Sequence, residues 1–455
     1  MRTPVSPSSA TTKDPTAPAS SRPKYPSALE IATHAVELLE DDPLFNAGKG
    51  AVFTRDGINE LEASVMVSRP STHAKRGVGV TGLRRVRNPI RLARAVLEHG
   101  DEDLGATTTT GSPYRVQGGC SNTVAGEQEE GHALDGDLDV PSAQGHTLIH
   151  GPTAEILARK YGLELVDPRY FFTQKRWDEH VRALSRASSQ RTSFARATAA
   201  TWSPDEYLPQ GTVGAVALGR DGVLCAATST GGMTNKLTGR IGDTPVVGAG
   251  FWAEEWEEQQ QQQQQPGVAW QDARAYLAAL PGAGPAVELG GALHAFLADC
   301  LPTPFLYAAV AQQPRLLRRP HSISAADAAK AVIRTRATAV SGTGNGDSFL
   351  RTAAARTVGG VARWTGVRGA EAVARVAGPG GELQRSAGDR WGRTNEGEGG
   401  MIGIEVVAER EAGTGRLLGG PAGVVLHDHN SAGMFRAWID DDGVARFKIW
   451  RDYDE

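Results

Sequence analysis

The chain has 455 residues, and its 48 Lys and Arg residues against 52 Asp and Glu residues leave a formal net charge of -4. This balance provides no electrostatic basis for binding nucleic acid or an anionic membrane surface, and no run of 18 apolar residues predicts a membrane span. The cysteines Cys120, Cys225 and Cys300 are widely spaced and odd in number, which argues against a disulfide framework and favours a reducing, cytoplasmic location.

The first 26 residues are rich in Ser, Thr and Pro, and this composition predicts a disordered tail. They contain no apolar segment of the kind that a secretory signal requires. An organellar transit peptide is a second interpretation, because basic residues outnumber acidic ones there, but the prolines disfavour an amphipathic helix. We therefore expect the folded domain to begin at Ser27.

Helical patterns alternate with glycine-bounded strands along the rest of the chain, which predicts a layered α and β domain. Polar or low-complexity stretches interrupt this pattern, and we expect the first three of them to be insertions or linkers. They are a glycine-rich loop at about 101–144, a mobile linker at about 182–210, an insertion around the glutamine run at about 257–268, and a polar stretch at 378–399 before two final strands.

A strong hairpin signal follows the predicted linker, with a threonine near the start of its first arm and another at the end of its second arm. The arms alternate apolar and small residues, as strands do. An Asp221-Gly222 pair between them predicts a two-residue turn. Paired positions then sum to about 443, so Thr212 is expected opposite Gly231 and beside Thr230.

Hydrolysis of the Gly211-Thr212 bond would give Thr212 a free α-amine next to its own hydroxyl. An α-amino group titrates near about 7.7 to 8.0, so much of it can be neutral and accept the hydroxyl proton without a histidine. Glycine at position 211 also permits backbone conformations that a residue with a Cβ resists. The pattern predicts a self-generated nucleophile, although an ordinary threonine at the start of a strand has the same appearance.

The glycine-rich loop after the hairpin carries Arg240 and Asp243, three residues apart. A guanidinium binds a carboxylate through two parallel hydrogen bonds and a carboxylate binds an ammonium group, so this pair suits the zwitterionic end of an α-amino acid. A weakly stabilising surface ion pair is the alternative interpretation. We interpret His427 and His429 as structural residues rather than as a metal-binding pair.

At these residues the chain resembles the plant-type L-asparaginase and isoaspartyl peptidase family of N-terminal-nucleophile hydrolases. The resemblance is carried by TVGAVALGRDGVLCAATSTGGMTNKLTGRIGDTPVVGAGFWAEE and by three further blocks in the family's order, LLEDDPLFNAGKGAVFTRDGINELEASVM, RRVRNPIRLARAVLE and SGTGNGDSFLR. It implies an α+β fold, a four-layer αββα sandwich of the Ntn-hydrolase type. Residues 27–211 would be its α-subunit part and residues 212–455 its β-subunit part, assembled as a dimer of cleaved αβ protomers.

The resemblance also implies the chemistry of the site. Thr212 matches the nucleophile of both self-cleavage and substrate hydrolysis, and Thr230 matches the residue that activates it. Arg240 and Asp243 match the residues that bind the α-carboxylate and the α-amine of the substrate. The implied reaction attacks the side-chain amide of L-asparagine or the isopeptide bond of a β-aspartyl peptide, forms an acyl-enzyme, and needs no cofactor.

Further residues take their roles from the resemblance alone. Thr343 and Gly344 match an oxyanion hole, Gly346 belongs to the same substrate-binding block, and Asn46 matches an asparagine beside the nucleophile. In the family, the backbone carbonyls of one loop bind sodium, a chemistry that suits a hard cation. The residues that match this loop are Leu39, Glu40, Asp42, Phe45, Ala47 and Lys49. A helix end followed by a turn would explain the glycines of this loop equally well.

Members of the family normally begin with a strand that ends in a His-Gly-Gly-Ala-Gly motif, followed by a helix. Neither precedes Ser27, so we expect the sheet that carries the nucleophile to lack its first strand. Backbone groups left unpaired in a core cost about 1–3 kcal/mol each. An inactive pseudoenzyme or a truncated gene product of the same fold is therefore an alternative, as is an aspartylglucosaminidase-like amidase, whereas a threonine aspartase is disfavoured because Asp243 is retained.

Overall fold

The structure is a computed structural model that describes residues 25–69, 77–103, 138–191, 211–258, 332–411 and 414–450. Most of the predicted tail, loop and glutamine insertion lie outside these residues. The α-helices of the described residues are α1 (Ala28–Asp41), α2 (Pro89–Asp103), α3 (Gly151–Lys160), α4 (Gln174–Arg191), α5 (Gly346–Thr352), α6 (Ala354–Thr365), α7 (Gly369–Ala377) and α8 (Glu382–Ser386). The strands are β1 (Leu61–Val67), β2 (Gly77–Leu83), β3 (Leu148–His150), β4 (Val213–Leu218), β5 (Leu224–Thr230), β6 (Phe251–Glu257), β7 (Val332–Gly344), β8 (Gly399–Glu411), β9 (Leu417–His429), β10 (Gly433–Ile439) and β11 (Ala445–Trp450).

The first sheet has five strands in the order β3-β2-β1-β5-β4. Helices α1, α2 and α3 share one hydrophobic cluster with it. A capping box between Ser27 and Glu30 starts α1, and the helix buries Ala32 and Val36 completely. Within the described residues β4 ends the sheet, and the absence of a further strand beside it stays a prediction.

The second sheet has four strands in the order β6-β7-β8-β9. Helices α5 to α8 each contribute to one hydrophobic cluster with this sheet, through Phe349, Val358, Val373 and Leu383 respectively, against Met401 of β8. These side chains alternate with exposed arginines and other polar residues along the helices, so each helix turns an apolar side towards the sheet.

A third hydrophobic cluster joins the two sheets. Met66 and Leu224 of the first sheet belong to it together with Phe251, Ala339 and Val406 of the second, and all five are buried. Both sheets therefore bury apolar side chains against helices and against each other. The mixed α and β class predicted from the sequence is confirmed.

The hairpin β4–β5 has a register that differs by one residue from the prediction. Its pairs run from Val213 with Ser229 to Leu218 with Leu224, so paired positions sum to 442. The Gly219 N–H donates to the Val223 carbonyl at 2.8 Å, which leaves a loop of three residues. Gly222 adopts a left-handed φ of 78°, and Asp221 Oδ1 accepts the Val223 N–H at 3.2 Å. The two-residue turn was wrong because a turn closed by a left-handed glycine accommodates one more residue.

Continuing this register by one residue beyond β4 moves the pairing of the two threonines. Thr212 then lies directly opposite Thr230 rather than opposite Gly231. Directly opposed residues of an antiparallel pair project to the same face of the sheet. The correction therefore brings the two threonine side chains closer together than the sequence predicted.

The linker predicted from residue 182 is wrong for its first ten residues, because α4 continues to Arg191. Alanine, arginine and glutamine are good helix formers, and the buried Arg176 and His180 anchor the preceding turns. Strands β8 and β9 occur where two final strands were expected, and the hairpin β10–β11 was not predicted. None of the described helices is long and apolar enough to cross a membrane.

The described residues 257–258, 332–333, 410–411 and 414–416 belong to a second unit. Within its described residues the Glu411 N–H donates to the Arg416 carbonyl at 3.0 Å, which closes the turn between β8 and β9. All predicted site residues belong to the larger unit.

Candidate active site

Side chains from β4, β5 and β7 meet in one layer between the sheets. Thr228 Oγ1 and Ser341 Oγ share a buried hydrogen bond of 2.8 Å. Gly214 packs against the same serine, since a side-chain carbon at Gly214 would lie 3.0 Å from Ser341 Cβ and overlap with its hydroxyl. The two sheets therefore approach closely at this layer, because Thr228 and Ser341 share a hydrogen bond and only glycine fits at position 214.

The predicted catalytic threonines lie two residues along each strand from this layer. Side chains two apart on a strand project to the same face, so this alternation predicts that Thr212, Thr230 and Thr343 form the next layer. A side-chain carbon at Gly211 would come closer than 3.0 Å to Thr343 Oγ1. The structure thus places the hydroxyl of Thr343 against Gly211, the residue before Thr212, although the two are 132 positions apart in the sequence.

Thr230 and Asn46 are held by a compact set of hydrogen bonds. Thr230 Oγ1 accepts the Gly232 N–H at 3.0 Å, and Asn46 Nδ2 donates to the Gly232 carbonyl at 2.7 Å. Asn46 Oδ1 accepts the Val52 N–H at 3.0 Å, and its backbone carbonyl accepts the Gly231 N–H at 2.9 Å. Asn46 therefore binds the end of β5 to the loop after α1, which fixes the position of Thr230.

Arg240 and Asp243 converge around Gly346. A side-chain carbon at Gly346 would lie 2.7 Å from Asp243 Oδ1 and 3.0 Å from Arg240 Nη2, so only glycine leaves room for both groups. Arg240 Nη2 donates to Asp347 Oδ1 at 3.0 Å. Burial raises the pKa of Asp243 to about 7, and the charge of Glu62 contributes in the same direction. Asp243 Oδ2 is buried without a hydrogen-bond partner among the described residues.

Gly344 occupies a backbone conformation that favours glycine, with φ at 148°. A side-chain carbon there would lie 2.5 Å from Gly399 Cα, which indicates close contact between the end of β7 and β8. The Asn345 N–H donates to the Glu398 carbonyl at 2.8 Å. Asn345 Oδ1 then caps α5 by accepting the Ser348 N–H at 3.0 Å. Gly344 itself is exposed, so its backbone can be approached from solvent.

The loop predicted to bind sodium is compact and lined by its own carbonyl groups. Side-chain carbons at Gly48 and Gly50 would overlap with the carbonyl oxygens of Glu40 and Phe45 respectively, which shows that these oxygens turn towards the loop interior. Inward carbonyls are the ligands that a hard cation prefers, so the residues fit the ion. The Lys49 ammonium lies over the Tyr170 ring, 5.5 Å from its centre, and therefore outside the loop.

Two carbonyls of the same loop bind a buried arginine instead. Arg176 Nε donates to the Gly50 carbonyl at 2.8 Å and its Nη2 donates to the Leu44 carbonyl at 3.3 Å. Neither belongs to the predicted sodium ligands. Within the part of the chain that the structure describes, no group of three His, Cys, Asp or Glu residues could hold a metal ion.

Glu62 is a site residue that the sequence analysis missed. It pairs with Thr230 across β1 and β5 and is only 1% exposed. Its Oε1 accepts the Gly242 N–H at 3.0 Å and the Thr81 hydroxyl at 3.1 Å. A glutamate in β1, where Ser64 is the one other polar residue, was the available signal, because a buried carboxylate without a partner is costly.

Lys236 is a second buried charged residue of this region. Its ammonium donates to the Glu60 carbonyl at 2.9 Å. Burial lowers the pKa of Lys236, while the charges of Glu62 and Glu60 act in the opposite direction. Hydrogen bonds from the Gly239 N–H and from Arg84 hold the pKa of Glu60 below its ordinary value, against the effect of burial. The glycine-rich loop is thus fastened to β1 by buried polar contacts.

Comparison with known proteins finds similarity to one family over part of the chain. Residues 24–109 and 139–257 match the sequence profile of the family described as asparaginase. Over these two segments the chain is similar to the asparaginase family. The asparaginase match contains Asn46, Thr212, Thr230, Arg240 and Asp243, whereas Thr343, Gly344 and Gly346 lie beyond it.

Several curated relatives carry names of the same family. The chain is 39% identical over 228 residues to an isoaspartyl peptidase of Escherichia coli, covering 50% of this chain and 54% of the relative. It is 35% identical over 249 residues to a putative isoaspartyl peptidase/L-asparaginase of Dictyostelium discoideum, covering 50% and 58%. A plant-type L-asparaginase of Pyrococcus furiosus is 32% identical over 232 residues, covering 51% and 59%. The chain thus spans little more than half the length of the asparaginase relatives that it matches.

Proposed function

We propose that this chain is an amidohydrolase that cleaves the side-chain amide of L-asparagine, the isopeptide bond of β-aspartyl dipeptides, or both. Thr212, freed by cleavage of the Gly211-Thr212 bond, is the nucleophile. The observation that carries the proposal is the contact of Thr343 Oγ1 with Gly211. Gly211 directly precedes Thr212, the threonine that faces Thr230. The names of the relatives support the substrate class.

Self-cleavage begins when Thr212 Oγ attacks the carbonyl carbon of Gly211. The peptide C–N bond breaks as the acyl group moves to the hydroxyl oxygen, and the nitrogen takes up a proton to become an α-amine. Water then hydrolyses the ester and releases the new carboxyl end of Gly211. The Thr343 hydroxyl, which already contacts this residue, donates to the developing negative charge on the carbonyl oxygen.

Substrate hydrolysis reuses the same groups. The free α-amine of Thr212 accepts the hydroxyl proton while the oxygen attacks the side-chain carbonyl of the substrate. Thr343 Oγ1 and the Gly344 N–H stabilise the oxyanion, and loss of one such donor typically slows a reaction by about 10²–10³. Ammonia or an amine leaves with a proton, and water then releases aspartate from the acyl-enzyme.

The Arg240 and Asp243 pair recognises the α-amino-acid end shared by both substrates. Arg240 is held by Asp347, whose side chain is 63% exposed, so a substrate carboxylate can compete for the guanidinium. Asp243 binds the α-ammonium group as a carboxylate. Because burial raises the pKa of Asp243, the substrate's ammonium group must itself help to stabilise the carboxylate form of this residue.

The finer architecture is part of the same proposal. We propose a four-layer αββα sandwich, which is supported by clusters between helices and sheets and between the two sheets. A dimer of cleaved αβ protomers and a structural sodium ion held by the carbonyl loop complete it. Catalysis itself needs no cofactor in this mechanism.

A denaturing gel tests the nucleophile. The 48.1 kDa chain should yield two fragments. Amino-terminal sequencing of the second fragment should identify Thr212 as its first residue. Thr212→Ala should remain uncut, and cleavage of that variant at the same bond would indicate a contaminating protease. A wild-type chain that stays whole and inactive would favour the pseudoenzyme instead.

The substrate is tested on cleaved protein. Ammonia release from L-asparagine and leucine release from β-Asp-Leu should both exceed the rates of Thr212→Ala by at least about 10²-fold. Glycosylasparagine is the control substrate. Preference for it would replace the proposed activity with that of an aspartylglucosaminidase-like amidase.

A further inference from the structure

Glu62 connects the threonine layer with the loop that carries Arg240 and Asp243. It pairs with Thr230 across β1 and β5, so its side chain projects to the same face of the sheet as that threonine. Its Oε1 accepts the N–H of Gly242 at 3.0 Å. Gly242 lies between Arg240 and Asp243, the two residues that we call the clamp, so one carboxylate oxygen holds the Ile241–Gly242 peptide between them.

The second carboxylate oxygen of Glu62 lies near the guanidinium of Arg240. A side-chain carbon at Gly242 would be 2.8 Å from Arg240 Nη1 and 3.1 Å from Glu62 Oε2. Glu62 Oε2 is buried and has no hydrogen-bond partner among the described residues. Glu62 therefore lies on the Nη1 side of Arg240, and Asp243 lies on its Nη2 side. The absence of a side chain at Gly346 leaves room for Arg240 and Asp243 there.

The charged groups around the clamp come from three elements. Arg240, Lys236 and Asp243 lie on the glycine-rich loop, Glu62 on β1 and Asp347 on α5. Burial and the charges of Glu62 and Asp347 raise the pKa of Asp243, and Arg240 opposes them. Removing the charge of Glu62 should therefore make Asp243 easier to ionise.

We propose that Glu62 is a positioning residue that holds the Gly242 peptide, so that Arg240 and Asp243 face the nucleophile Thr212. This inference rests on the function proposed above. Glu62 contacts no reacting atom. It links the strand that pairs with β5 to the loop that binds the substrate, and its carboxylate serves the clamp through both position and charge.

Glu62→Gln in the full chain tests the inference. The amide retains the size of the side chain but loses the charge-assisted hydrogen bond, so KM for L-asparagine should rise about tenfold while kcat changes less. The acid limb of kcat/KM should move to lower pH. Glu254→Gln is the matched control, because Glu254 is equally buried but lies on β6 of the second sheet, where it pairs with Arg356 and Arg363 of α6.

A KM and a pH profile equal to those of Glu254→Gln would overturn the inference. If Glu62→Gln does not fold, Glu62→Asp retains the charge at shorter reach and should raise KM with little change in the acid limb; an unchanged KM would overturn the inference.

If the wild-type chain hydrolyses neither substrate, the proposed function fails. The carboxyl ¹³C titration of Asp243, assigned with Asp243→Asn, then decides about Glu62: a titration unchanged by Glu62→Gln overturns the inference, and a shift to lower pH supports it.

Discussion

Gly211→Ala should slow self-cleavage without unfolding the protein. The added carbon would overlap with Thr343 Oγ1 but would lie at an ordinary 3.5 Å from Thr343 Cβ. Rotation about the Cα–Cβ bond of Thr343 relieves the overlap by moving the hydroxyl away from the Gly211 carbonyl. The folded state then loses little stability, because only the end of one side chain moves.

The expected slowing follows from either way of relieving the overlap. Loss of the Thr343 donor would slow cleavage by about 10²–10³. If the backbone moves instead, an overpacking cost of about 1–3 kcal/mol that falls on the transition state slows cleavage by about 5-fold to 150-fold. The fraction of cleaved chain against time, measured by intact mass after purification, distinguishes both cases from the wild type.

Gly420→Ala is the matched control, because a side-chain carbon at Gly420 meets no atom within 4 Å. It should cleave at the wild-type rate. The double variant Gly211→Ala/Thr343→Ser should recover part of the rate, since serine retains a hydroxyl that rotates without a methyl group. Cleavage of Gly211→Ala at the wild-type rate would refute the contact between Thr343 and the residue before the cut.

Three further predictions concern pH and packing. The kcat/KM for L-asparagine should fall as pH drops through about 7, because protonation of Asp243 removes the carboxylate that binds the α-ammonium group; a pH profile flat between 5 and 8 would contradict this role. Burial raises the pKa of Glu40 to about 8, above its value in the unfolded chain, so the native state binds the extra proton and the free energy of unfolding should fall as pH rises from about 4.5 to 8, by at most about 5 kcal/mol. Chemical denaturation of Glu40→Gln should show a shallower fall, and an equal slope would exclude Glu40 as its source. Phe251→Ala should lower the free energy of unfolding by about 3–5 kcal/mol, because it opens a cavity in the cluster between the sheets, and a loss below about 1 kcal/mol would argue against that packing.

The candidate site was predictable from sequence where its parts are local. The two arms of the hairpin, the threonine at each end and the Arg240–Asp243 pair all lie within 33 consecutive residues, and their chemistry follows from residue type and spacing. The resemblance added Asn46, Thr343 and Gly344, which residue patterns alone would assign to ordinary turns. Their roles stay predictions, although the structure brings Thr343 to Gly211.

The register of the hairpin shows why local pattern was insufficient even here. Asp221-Gly222 is compatible with a loop of two or three residues, and one added residue shifts every pair. The left-handed Gly222 and its neighbours determine the longer loop in the folded chain. Thr212 faces Thr230 because of the backbone conformation of the turn, which cannot be derived from the local sequence alone.

The sequence by itself determined the mixed α and β class, the hairpin and the residue types of the clamp, because helix and strand periodicity and side-chain chemistry are local properties. Only the tertiary structure decided that Thr343 contacts Gly211, that Glu62 holds the Gly242 peptide, and that Asp243 is buried enough to raise its pKa to about 7. These properties depend on which distant strands become neighbours and on how much water they exclude. Neither quantity can be obtained from the spacing of residues along one chain.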